Sequence, residues 1–164
     1  MFVVSIKSDK LKKIFAIFVA LLTVTIGGIV YVSSTISVPT AKISGKSMKA
    51  ETNEDRVAFF SQFSLNVNED PAEVKEVVIP PEFDDVYNSY NELQKSQGLD
   101  LEPYKGVRVK MWSYEVLNYP GFENSGTIRG NLLVYNGNVI GGDVCNIQLD
   151  GFMTSFDGTT ESIQ

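Results

Sequence analysis

A hydrolytic or transfer site needs a nucleophile with a base beside it, a pair of carboxylates, or a cage of metal ligands. The 164 residues hold no histidine and a single cysteine, Cys145. The Ser-His-Asp, Cys-His and common zinc constellations are therefore out of reach. Cys145 alternates with Asp143 and Ile147 in a strand pattern, which gives it the role of a small buried apolar residue rather than a nucleophile. Carboxylates are abundant, but their spacing is poor for catalysis. Asp84 and Asp85 are neighbours at the start of an amphipathic segment, so they point in different directions and serve as N-terminal helix charges. Asp143, Asp150 and Asp157 lack the alternating spacing of a calcium loop, and Asp150-Gly151 and Asp157-Gly158 are ordinary turn dipeptides. The residues point to no catalytic, metal or cofactor site, and to a protein that is not an enzyme.

Aromatic residues offer a different chemistry. Trp112 and Tyr114 lead into the segment Leu117 to Gly126, which carries Tyr119-Pro120-Gly121-Phe122. Exposed rings on a long loop are a common way for a small domain to grip a peptide or a sugar. Trp112, Tyr114, Tyr119 and Phe122 are therefore the candidate ligand or partner surface. The competing reading is that these rings roof the open face of a sheet.

The elements that would position them can be read in order. Thr52 and Asp55 begin a capping-box pattern, with Val57, Phe60 and Phe63 at helical spacing behind it through about Ser64. Val74 to Ile79 is a β-branched strand that stops at Pro80-Pro81. A second helix, about Glu82 to Gln97, places Phe83, Val86, Tyr87, Tyr90 and Leu93 on one stripe before Gly98 ends it. Val107 to Val116, Thr127 to Tyr135 and Val139 to Leu149 read as strands. Asn136-Gly137 forms a tight hairpin turn between the last two, and Gly141-Gly142 is a bulge candidate. The fold expected is α+β: an α-β-α-β-β-β order with a three- or four-stranded antiparallel meander and both helices on one face.

Ahead of this domain, Ile14 to Val32 runs nineteen residues without a charge. At about 1.5 Å per residue it covers roughly 28 Å, close to a hydrocarbon core of about 30 Å. Lys7, Lys10, Lys12 and Lys13 precede it against Asp9 alone, and the eight residues after it are uncharged. Positive-inside bias therefore puts the N-terminus in the cytoplasm and the rest of the chain outside the cell membrane. A cleaved signal peptide is the rival, with a cut between Ser34 and Ser37, but its apolar core is usually about 7 to 15 residues. The expected organisation is a basic cytoplasmic segment 1–13, a transmembrane helix 14–32, a linker 33–50, a domain 51–153 and a flexible tail 154–164.

From Glu51 onward seven basic residues stand against nineteen acidic ones, a net charge of −12. That excludes nucleic acid as a partner, because phosphate binding needs a basic face. The linker carries Lys42, Lys46 and Lys49, which suit anionic headgroups or wall polymers as well as plain solvation.

Several runs carry a family likeness: Ile79-Pro80-Pro81-Glu82-Phe83, Tyr90-Asn91-Glu92-Leu93-Gln94, Tyr104-Lys105-Gly106, and Tyr114-Glu115-Val116 with Asn118-Tyr119-Pro120-Gly121. To these are added Asn131 to Gly137, Ile140-Gly141-Gly142-Asp143 and Leu149-Asp150-Gly151-Phe152-Met153. Over about Glu51 to Phe152 the chain resembles domain-of-unknown-function family 4830. The resemblance implies an anchored protein of clostridial-type Gram-positive bacteria and transfers no catalytic residue. The function expected is a single-pass, membrane-anchored, extracytoplasmic binding module whose partner is an envelope protein or a wall-derived ligand, met through the aromatic region or a free sheet edge. The alternative is an accessory or inhibitory subunit of an envelope complex, with the transmembrane helix as its partner surface.

Overall fold

The structure, a computed structural model, describes residues 45–159. The expected anchor at 14–32, most of the linker and the last five residues lie outside the described residues. Among the described residues no helix is long and apolar enough to cross a membrane.

Helix α1 spans Asn53–Ser61. Its capping box is complete: the Thr52 hydroxyl accepts from the Asp55 amide, and the Asp55 carboxylate accepts from the Thr52 amide at 3.0 Å. Strand β1 (Glu73–Val78) follows, then α2 (Asp85–Ser96), with Asp84 as N-cap accepting from the Tyr87 amide at 2.8 Å. The chain then runs through a short 3-10 turn into β2 (Arg108–Glu115), β3 (Ile128–Tyr135), β4 (Asn138–Asn146) and the two-residue β5 (Met153–Thr154). All five strands join in one antiparallel meander in chain order. The β3–β4 turn is the expected one, with Asn136 at φ 48° and Gly137 at φ 73°, the positive values a two-residue hairpin of this kind demands. A bulge falls beside Gly141: Leu133 faces Gly141 while Val134 faces Val139, so Ile140 is the additional residue.

The two helices pack on opposite faces of the sheet, not on one. Tyr114, Gly130 and Val144 stand opposite one another across β2, β3 and β4, and so do Ser113, Asn131 and Asp143. Successive residues of a strand face opposite ways, so these two rows belong to different faces. The first row meets α1: the Phe60 ring lies edge-on to Tyr114, and a Cβ on Gly130 would come within 2.5 Å of it. The second row meets α2 through Tyr90. Leu132, Leu133 and Val134 are buried in succession, the signature of a strand covered on both sides.

The main core lies on the α1 face, where Phe59, Phe60, Tyr114, Leu132, Val144 and Phe156 form one cluster. Two boundary expectations change. The linker ends before Met48: Met48 and Ala50 are buried, the Val139 amide donates to the Met48 carbonyl, and the Ala50 amide donates to that of Gly137. The C-terminal segment is not a loose tail from Thr154 onward, because Thr154 pairs with Val144 and the Phe156 ring packs on Phe59, Phe60 and Phe63. These apolar rings remove enough surface from water to hold the segment down.

Candidate functional site

Burial along α2 is graded. At its C-terminal end Asn91, Leu93 and Gln94 are buried, whereas Val86 in the first turn is 75% exposed. The expected stripe therefore splits, with Leu93 in the core and Val86 at the surface. Two glutamines fix the buried end to the bulge. The Gly142 amide donates to Gln94 Oε1 at 2.8 Å, and Gln97 Nε2 donates to the Gly142 carbonyl at 2.8 Å. Gly142 itself leaves no room for a side chain, because a Cβ there would collide with the Asn131 carbonyl and the Phe156 ring.

Under the exposed end of α2 the sheet is left partly open, and a groove of about 440 Å³ results. Its apolar walls are Val77, Val86, Tyr87, Met111, Leu133 and Met153, and its polar lining is Tyr90, Asn131 and Asp143. That size falls within the range of roughly 300–1,000 Å³ usual for small-ligand pockets, and a mostly apolar lining with a few converging polar groups is their usual composition.

The polar groups form one network. Asp143 Oδ1 accepts from Asn131 Nδ2 at 2.8 Å, and Oδ2 accepts from the Tyr90 hydroxyl at 3.0 Å. Asn131 Oδ1 accepts from Ser113 Oγ at 2.6 Å, and Asn131 Nδ2 also lies 3.4 Å from Cys145 Sγ. Asp143 is 3% exposed, and burial pushes its carboxyl up from the ordinary 3.8 to about 6 against the lowering effect of these hydrogen bonds. Burial and the adjacent carboxylate push the Tyr90 hydroxyl well above its ordinary range and the Cys145 thiol up to about 11. Both stay protonated at neutral pH, so Tyr90 acts as a donor and Cys145 is poorly suited to be a nucleophile. Among the described residues Asp143 has no Lys or Arg within 4.0 Å, and no group of three acidic or cysteine side chains could hold a metal ion.

The four aromatic residues singled out in the sequence do not share one surface. Tyr114 is fully buried: its hydroxyl donates to Asn53 Oδ1 at 2.8 Å and accepts from Arg56 Nε at 2.9 Å, and Phe60 covers its ring. It cannot touch a ligand without unfolding the α1 face. Trp112 is partly buried beneath the Arg56 guanidinium, which stacks 3.6 Å from the ring centroid. Tyr119 and Phe122 pack with Phe152 against the same core, at 5.3 and 5.8 Å between ring centroids.

Asp143, Asn131 and Tyr90 went unassigned in the sequence. For Asn131 and Asp143 the signal is a polar side chain set among apolar neighbours in a strand, but nothing local shows that two strands and a helix bring them together with Tyr90.

Residues 59–144, a little over half of the 164, match the family described as a domain of unknown function (DUF4830). The chain belongs to the DUF4830 family. Neither curated proteins nor solved structures give a match. The DUF4830 region runs from Phe59 of α1 to Val144 of β4, so it contains the whole Tyr90–Asn131–Asp143 network and both glutamines that fix α2. Met153, on the far wall of the groove, lies outside it.

Proposed function

We propose that this DUF4830 protein is a non-enzymatic binding module, held at the outer face of a membrane by the segment Ile14–Val32, and that the groove beneath α2 is its ligand site. The observation that carries the reading is the groove itself, an apolar trough with one buried carboxyl among its lining groups. The uncharged run and the lysines before it support the anchor. A groove open at the surface and walled mostly by apolar side chains favours a small apolar body, or an apolar side chain of a larger partner, over a sugar.

The methionines provide the test. Four are present; Met111 and Met153 line the groove, and Met48 is buried on the opposite side with the α1 core. The full chain, labelled at its methionine methyl groups and placed in lipid nanodiscs, is titrated with toluene, indole and cyclohexanol and followed by NMR. Saturable shifts at Met111 and Met153 with Met48 unmoved are expected. If no probe moves the groove methyls, or if all the methyls move alike, the groove is not a site.

A further inference from the structure

Among the described residues Asp143 is a buried acid without a counter-charge. Its oxygens accept from Asn131, Tyr90 and the Cys145 thiol, whereas an ionised carboxylate offers about four acceptor positions. All three donors are neutral, and no cation of the described chain lies within ion-pairing distance. An uncompensated buried charge is among the most expensive groups a fold can carry, and this one lines an apolar trough that opens to the surface. The domain around it is strongly acidic, with nineteen acidic against seven basic residues from Glu51 on, so its field draws cations and repels anions.

We infer that the groove takes an organic cation, an ammonium carried on an apolar body, whose nitrogen pairs with Asp143 while the body lies between Met111, Leu133, Tyr87 and Val86. The inference rests on the groove being a ligand site, and it adds the charge class of the ligand. Asn131, Tyr90 and Cys145 are positioning residues: together they hold the carboxylate by three of its acceptor positions and leave one for the guest. The titratable groups that touch Asp143 are Tyr90 on α2 and Cys145 on β4, with Tyr87 beside Tyr90 and Arg129 of β3 close to Cys145. The hydroxyls and the thiol are all raised, so Asp143 is the group among these acids that changes charge between pH 5 and 8.

The experiment compares 4-methylbenzylamine with 4-methylbenzyl alcohol, nearly equal in shape and different in charge. Each is titrated into the full chain in nanodiscs, wild type and Asp143→Asn, with Met111 and Met153 as reporters. At pH 7.5 the amine should bind the wild type about tenfold or more tightly than the alcohol, the ratio expected of one charge-assisted hydrogen bond. The preference should shrink as pH falls below 6, and Asp143→Asn should bind both probes equally. Equal affinities for wild type, with both probes still shifting the groove methyls, overturn the cation and leave the groove standing. Absence of any shift by either probe overturns the groove and the cation with it.

Discussion

Replacing Asp143 by Asn should make the protein more stable at neutral pH, although it removes a hydrogen-bonded carboxylate from the interior. The folded state holds the Asp143 proton more tightly than the unfolded chain does, since the carboxyl is raised from 3.8 to about 6. Below the unfolded value both states are protonated and nothing is lost. Between about pH 4 and 6 the unfolded chain ionises first, so stability falls with rising pH, and above pH 6 the penalty is complete and constant. The difference corresponds to about 3 kcal/mol, and with the group almost wholly buried solvent screening removes little of it. Asn imitates the protonated acid: its oxygen accepts from Asn131 and its amide donates to the Tyr90 hydroxyl. The variant should therefore match wild type at pH 4 and exceed it by about 2–3 kcal/mol at pH 7.5. Trp112 is the sole tryptophan, so urea unfolding of the full chain in dodecyl maltoside is read from its fluorescence. A wild-type minus variant difference that stays flat from pH 4 to pH 7.5 would refute the burial argument.

Two further outcomes test other parts of the structure. Phe156→Ala should cost about 3–5 kcal/mol, because the ring touches Phe59, Phe60 and Phe63 at once; a loss under about 1 kcal/mol in the same urea assay would show that the segment after β4 is not part of the core. Protease added outside intact cells should digest the domain and leave a membrane-bound stub carrying an N-terminal tag, whereas a fully protected chain would reverse the orientation drawn from the lysines.

Local features were the legible ones. The Thr52–Asp55 box and the Asn136-Gly137 turn are each settled within a few residues, and the hydrophobic periods around them located both helices and four of the five strands, although Asp84 is the N-cap of a helix expected to begin at about Glu82. What depended on distant partners was not legible. The alternation in β2 correctly grouped Trp112 with Tyr114, but whether that side was open depended on α1, fifty-odd residues earlier, laying Phe60 and Arg56 over it. The run Leu132-Leu133-Val134 fits a one-sided or a two-sided strand equally well, and only the covered state of both faces separates the helices. Phe156 stands before Asp157-Gly158 in a Ser/Thr-rich stretch, and that polarity hid its anchoring role. The carboxyl network was the least visible, because Ser113, Asn131 and Asp143 meet through the register of three strands.

The uneven burial of α2 gives the helix the mechanics of a cantilever. Its far end is clamped by Gln94 and Gln97 to Gly142 and by Leu93 and Leu99 to the interior, while its first turn, with Val86 outward, overhangs the trough. Deflection of that end would change the width of the opening and leave the aromatic cluster, which lies across the sheet, untouched. If the groove is the ligand site proposed above, such a frame would accept guests of different girth, with the carboxylate as their common reference point.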